Sequence, residues 1–517
     1  LSSGKLCQGY GQPTAARIRA TGNALMRGAQ RCLWRNALLR GPVILRCKGL
    51  LYALALALTS ASAPFPGCYK ERFHDPHCTR PATVRRIFLP TMNSHLLKSR
   101  TLWISVAVLA VIGLIVAVAL MWRPAIAPIK RPTSFDTAQL QRGARVVEAG
   151  DCAVCHTRPG GEYLAGGLPL VTPFGTLYST NITPDAQTGI GEWSLPAFER
   201  AMREGIARDG HFLYPAFPYV HYRRMSSEDI ADAYAYLMSG PAVHAPARQN
   251  QMNFPMNIRP LVSFWNLLFL HGEPLTPLAE HSAAWNRGRY LVDGPGHCAG
   301  CHSPLNLIGA EKSSQYLQGG SVDGWEAPAL VGLGQRANPW NREQLVGYLR
   351  ADVVDGQGTP AGPMRPVSLS LARLPASEAE AIADYLLSLQ NPQAVSETTA
   401  QKPPSSPADH TTGALLFSSA CAGCHAPAAP MREIDGRPGL QGTSALQAAS
   451  SRNFLKTVLE GVPAIPGAPG PVMPPFAASL DNAQLGALAA YLREQAKPEE
   501  PWTDLSSTIE ALRQETK

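Results

Sequence analysis

The sequence predicts an all-α protein: three tandem helical units of roughly 100 residues each behind an N-terminal transmembrane helix. Three observations carry that expectation. An uncharged apolar run, LWISVAVLAVIGLIVAVALMW, occupies residues 102–122. Past it, the same succession of amphipathic helices occurs three times, each around one Cys-x-x-Cys-His string. No strand-like alternation of any length interrupts them.

The apolar run comes first. About 21 uncharged residues cross a hydrocarbon core of ~30 Å as a helix, so 102–122 reads as a retained anchor. The competing reading is a signal peptide cleaved at the A-x-A-like AIA (125–127). Lys98 and Arg100 place its start in the cytoplasm by the positive-inside rule, an asymmetry that Arg123, Lys130 and Arg131 weaken. Residues 1–91 are different in kind. They hold 14 Lys or Arg against 2 Asp or Glu, whereas the remainder holds 32 against 36. The overall charge of +8 therefore misleads, and a nucleic-acid partner is excluded. The favoured reading of 1–91 is an upstream region translated in frame, with the start at Met92. The alternative is a leader in which KGLLYALALALTSASA (48–63) acts as a signal peptide.

The three units follow, expected over 135–240, 283–392 and 410–497. Each opens with a short amphipathic helix: 137–150, 285–294 and 412–420. Each closes with an apolar-periodic helix behind an acidic or Asp/Asn start: 226–239, 376–389 and 481–494. The closing helices share a Tyr-Leu pair (Tyr236-Leu237, Tyr385-Leu386, Tyr491-Leu492), which marks homologous units whose tyrosines serve packing. A third matching helix lies between them, at 193–205, 340–352 and 450–461. The connection 241–282 contains PLVSFWNLLFL (260–270), too short to span a bilayer. It reads either as a buried helix or as an exposed patch against a partner or the membrane surface. A Pro/Ser-rich linker covers 393–409, and 498–517 is a C-terminal tail.

The strings carry the chemistry. Random placement of 11 Cys and 13 His predicts roughly 0.006 Cys-x-x-Cys-His strings in the chain, and there are three. A structural zinc site needs two such pairs close together, whereas these lie more than a hundred residues apart. A redox dithiol gives no reason for the following His. Covalent haem explains every residue. On one helical turn, Cys152 and Cys155, Cys298 and Cys301, and Cys421 and Cys424 each attach one macrocycle, while His156, His302 and His425 ligate iron. The five other cysteines all precede residue 92, so the haem-bearing part has no stray thiol and suits an oxidising compartment. Three covalently bound haem c groups are expected, in three tandem class I cytochrome c domains.

Each iron needs a sixth ligand. Met364, in the Gly/Pro-rich GTPAGPMRPVS, and Met473, in GPVMPPFAASL, stand just before the second and third closing helices. A thioether there raises the potential and suits electron transfer. The first unit departs, with Phe217 at that place. Met225 is the favoured donor and His221 the alternative, which would give a lower potential.

These residues resemble a family. The order of anchor and three attachment units, with TPFGTLYSTNITPDAQTGIGEWS (172–194) and LYPAFPY (213–219), is similar to the triheme cytochrome c subunits of bacterial membrane-bound dehydrogenases. The resemblance covers about residues 92–517 and leaves 1–91 unmatched. It implies an electron-transfer chain without substrate chemistry, in the inner membrane with its haem domains in the periplasm. Its partners would be a dehydrogenase catalytic subunit, of molybdenum-hydroxylase or flavoprotein/quinoprotein type, and ubiquinone or a terminal oxidase. PWTDLSSTIEALRQE (501–515) and the 240–270 linker look closest to cytochromes paired with molybdenum-hydroxylase-type dehydrogenases. The alternatives are a haem–copper oxidase subunit, or a cytochrome c peroxidase working through the first unit.

Overall fold

The computed structural model describes residues 100–390, 407–435, 437–464 and 472–515. The 1–91 leader, and the part of the 393–409 linker before Pro407, lie outside them. The apolar run forms the helix Arg100–Met121. Among the described residues it is the one helix long and apolar enough to cross a membrane, over Trp103–Met121. Ile104, Leu109 and Leu114 are exposed on different faces. A helix apolar all round calls for an apolar solvent rather than a core stripe. Trp103 and Trp122 stand exposed at its two ends, where indole rings favour a membrane–water boundary.

Beyond it an opening helix crosses a closing helix three times. Thr137–Ala149 packs on Ser227–Ser239, Ala283–Asp293 on Ala376–Ser388, and Pro407–Leu416 on Asn482–Ala496. The crossings are close because a glycine sits at each. A Cβ on Gly143 would lie 2.0 Å from the carbonyl oxygen of Asp232; on Gly288, 1.8 Å from that of Ala381; on Gly413, 2.4 Å from that of Ala487. The β carbons of Tyr236, Tyr385 and Tyr491 flank the same three points, at 2.8, 2.9 and 2.5 Å. The repeated tyrosine is thus the partner of a glycine one helix away. The leucine after it is buried each time.

Separate apolar cores form around these pairs: Phe198, Ile230 and Met238 in the first, Leu291, Leu345 and Ile382 in the second, Leu455, Leu485 and Leu488 in the third. The tail joins the third, because the helix Leu505–Glu515 buries Ile509 and Leu512 there. Local signals set the closing helices' starts. Ser226 accepts from the Asp229 amide, and Asp481 forms a capping box with Gln484. The second instead begins after Pro375, whose fixed φ suits a helix entry.

Two small sheets depart from the all-α expectation. Pro169–Thr172 pairs antiparallel with Gly175–Tyr178, which also pairs with Gln251–Met252; Gly320–Val322 pairs with Trp325–Ala327. Strands of two to four residues are too short for alternation to register in the sequence. The second hairpin matters for the site, since a Cβ on Gly320 would come 2.4 Å from the Cys301 carbonyl oxygen.

Candidate functional site

Each Cys-x-x-Cys-His string makes one helical turn. Asp151 (φ 49°) and His297 (φ 37°) adopt the left-handed region directly before Cys152 and Cys298. Each costs about 1–2 kcal/mol for a non-glycine residue, and each breaks the opening helix so that the attachment turn leaves in a new direction. The third string is reached differently. A π-helical turn, Phe417–Cys421, carries the opening helix straight into Ala422–His425.

The three histidines share one geometry. The Nδ1 of His156 lies 2.6 Å from the Thr180 carbonyl oxygen, that of His302 2.7 Å from Pro328, and that of His425 3.2 Å from Pro438. A ring whose Nδ1–H donates to a carbonyl keeps its lone pair on Nε2, the arrangement a metal-ligating imidazole needs. Burial holds all three rings below the ordinary histidine range, partly offset by these hydrogen bonds. None of the six attachment cysteines pairs in a disulfide, which leaves their thiols to a haem. Burial pushes those of Cys152 and Cys298 up to about 12, and those of Cys155 and Cys301 up to about 11. Among the described residues no three His, Cys, Asp or Glu side chains group closely enough to share a metal ion.

The second and third donor sets face one cavity of about 1020 Å³. Its walls include Cys298, Cys301, His302 and Met364, and, from the third unit, Cys424, His425 and Met473. Met364 is the first residue of the helix Met364–Arg373 rather than a loop residue, because Pro363 is compatible with a helix start. Met473 is pinned by paired backbone hydrogen bonds with Val462, both 2.9 Å. Beside Met364, Arg365 is 3 % exposed, yet its Nε and Nη1 find no acceptor among the described residues. Such donors call for an anionic acceptor.

The first set is arranged differently. Met225 is buried in the same core as Cys152, Phe217 and Tyr222. His221 is buried too, but both ring nitrogens are engaged: Nε2 is 2.6 Å from Glu311 Oε1, and Nδ1 is 3.3 Å from the Asp293 carbonyl oxygen.

A model of the Cytochrome c family matches residues 140–241, and one of the cbb3-type cytochrome c oxidase subunit III family matches 408–492. The gluconate 2-dehydrogenase cytochrome c subunit of Pantoea cypripedii is 35% identical over 380 residues, 69% of this chain and 85% of that protein. The fructose dehydrogenase cytochrome subunit of Gluconobacter japonicus is 32% identical over 70% of this chain and 80% of its own length. The chain belongs to this family of dehydrogenase cytochrome c subunits. A nicotinate dehydrogenase subunit of Pseudomonas putida is 48% identical over 78% of this cytochrome subunit, which spans about a third (34%) of that longer relative.

Cytochrome c domains imply covalently bound haem c, and the donors fit it: paired thiols, an imidazole with its Nε2 lone pair presented, and a thioether within reach of the same cavity. Sequence reasoning missed the carbonyls that orient the rings. Thr180 lies inside the family-like TNITPD, whose Asn181 accepts from the Thr183 amide and hydroxyl and donates to the Val243 carbonyl. Pro328 and Pro438 each begin a Pro-x-Leu string after their attachment motif, a shared signal that could have found them.

Proposed function

We propose that this chain is a membrane-anchored triheme c-type cytochrome that accepts electrons from the catalytic subunit of a dehydrogenase and passes them to ubiquinone or a terminal oxidase. One observation carries the reading: the attachment turn with a carbonyl-held imidazole occurs three times. Haem c, when bound, supplies one-electron iron chemistry. The chain's own residues set its terms. Cys152, Cys155, Cys298, Cys301, Cys421 and Cys424 would hold it through thioether bonds. His156, His302 and His425 would ligate its iron, each held in tautomer by the carbonyl that its Nδ1 faces. Met364, Met473 and Met225, with His221 the alternative to the last, would supply the further iron donors, and a thioether there raises the potential. The domains are 135–240, 283–392 and 410–497, class I cytochrome c units in tandem, facing the periplasm from an inner-membrane span at 102–122. The catalytic partner is of molybdenum-hydroxylase type, which the resemblance links to nicotinate-oxidising dehydrogenases, rather than a flavoprotein or quinoprotein; the higher identity to the nicotinate dehydrogenase relative supports this choice.

The oxidase-type match over 408–492 favours a second reading, a subunit of a haem–copper oxidase. It covers one unit, whereas the dehydrogenase relatives extend over most of the chain. A pyridine haemochrome assay after acid–acetone extraction is expected to return three haems per chain; one or two would end the triheme reading. Co-purification decides the partner, and recovery with an oxidase instead of a dehydrogenase would favour the second reading.

A further inference from the structure

The connection between the first two units forms the helix Val262–Phe269, whose buried side carries its polar residues beside Val262. Its polar residues face the protein. Ser263 is 5 % exposed, and Asn266 accepts from the Tyr219 hydroxyl at 2.6 Å while donating to the Glu204 carbonyl at 3.1 Å. Its leucines face away: Leu267 and Leu268 are each 59 % exposed. Phe254, Ile258 and Leu261, just before the helix, are exposed as well. Single exposed apolar residues are ordinary, but a contiguous set on a helix with its polar side buried is not.

What covers this patch follows from its neighbour. The helix packs against the apolar helix Arg100–Met121. The exit of that span is fastened to the same face of the first unit: the Ile126 amide donates to the Arg208 carbonyl at 2.7 Å, and the Arg200 guanidinium donates to the Pro124 carbonyl at 2.7 Å. Arg123 lies over the Phe212 ring at 5.8 Å and Arg259 over Tyr214 at 5.1 Å, so guanidinium groups rim the patch where anionic headgroups would meet them. We infer that Val262–Phe269 is a second membrane contact, lying in the lipid interface beside the span with Leu267 and Leu268 among the acyl chains. This rests on the span's being retained, as proposed above.

The test is electron paramagnetic resonance on the full holoprotein in liposomes of zwitterionic and anionic phospholipids. A nitroxide residue is introduced genetically at Leu268, at Leu307 (96 % exposed, in the second unit) or at Val116 in the span, with the haem spectrum confirming folding. Collision with oxygen, which concentrates in lipid, is compared with collision with a water-soluble nickel chelate. The expected oxygen-to-nickel ratio at 268 is several-fold above that at 307 and approaches that at 116. A ratio at 268 equal to that at 307, with 116 still deep, overturns the inference and leaves the anchor standing. An aqueous reading at 116 removes both. Should 268 be aqueous in the isolated chain and shielded only once a dehydrogenase subunit binds, the patch is a protein-docking surface and the inference also fails.

Discussion

At the scale of single residues, the first unit holds the open choice. The buried site could take its sixth ligand from Met225 or His221, and the structure separates them by their commitments. His221 bridges to the Glu311 carboxylate and the Asp293 carbonyl of the second unit, so releasing it would leave a partly buried carboxylate without this partner and break a contact between units. Met225 gives up only apolar packing. Met225→Ala is therefore expected to remove about a third of the near-infrared band that ferric Met-ligated haems share, while His221→Ala leaves that band intact. An intact band in the first variant, with loss in the second, would reverse the assignment. The Cys-x-x-Cys-His strings were legible because covalent attachment demands fixed spacing. The carbonyls that hold the imidazoles were not, since any residue supplies a carbonyl and only the fold selects Thr180, Pro328 and Pro438.

Among the elements, the repeated helix crossing is the most legible part of the fold, yet half of it was hidden. The Tyr-Leu pairs stood out as a repeated string; Gly143, Gly288 and Gly413 did not, because a helical glycine carries no periodic signal. Gly288→Ala sets two effects against each other. Alanine favours the helix by about 1 kcal/mol, but its Cβ would meet the Ala381 backbone oxygen at 1.8 Å, and forcing helices apart costs about 1–3 kcal/mol. Backbone cannot swing aside as a side chain can, so the clash should prevail. Thermal unfolding followed by circular dichroism should show a lower midpoint; an unchanged or higher one would mean the crossing has slack. The hairpins escaped sequence reading for a related reason, as their strands are shorter than one period-two signal needs.

Across the chain as a whole, the first and second units are joined by polar contacts that no sequence pattern announces. The Ser370 hydroxyl donates to Asp151 at 2.6 Å, Arg373 pairs with Glu148 at 2.8 Å, and the Tyr290 hydroxyl donates to Asp229 at 2.6 Å. Burial at this boundary raises the Asp151 carboxyl from 3.8 to about 7, against the lowering effect of the Ser370 hydrogen bond. The folded state thus binds a proton that the unfolded chain has already lost. Its contribution is fully present below about 4 and disappears as the pH rises to about 7. Relative to the parent, Asp151→Asn should lose less stability across that interval, read as the difference in unfolding midpoint at the two ends. Parallel slopes would show that Asp151 titrates normally.

The fastening of the span's exit has a kinetic meaning. Arg131 donates to the carbonyls of Met238 and Gly240, and the Ile129 amide donates to Glu192, so the nine residues from Arg123 to Arg131 leave no slack leash. A domain on a loose leash sweeps a volume and samples many approaches. Here the first unit inherits the tilt and lateral drift of its own helix. With the helix in a bilayer, encounters with other membrane proteins become a two-dimensional search with one face permanently withdrawn, and any partner must present its own redox centre at a fixed height above the lipid.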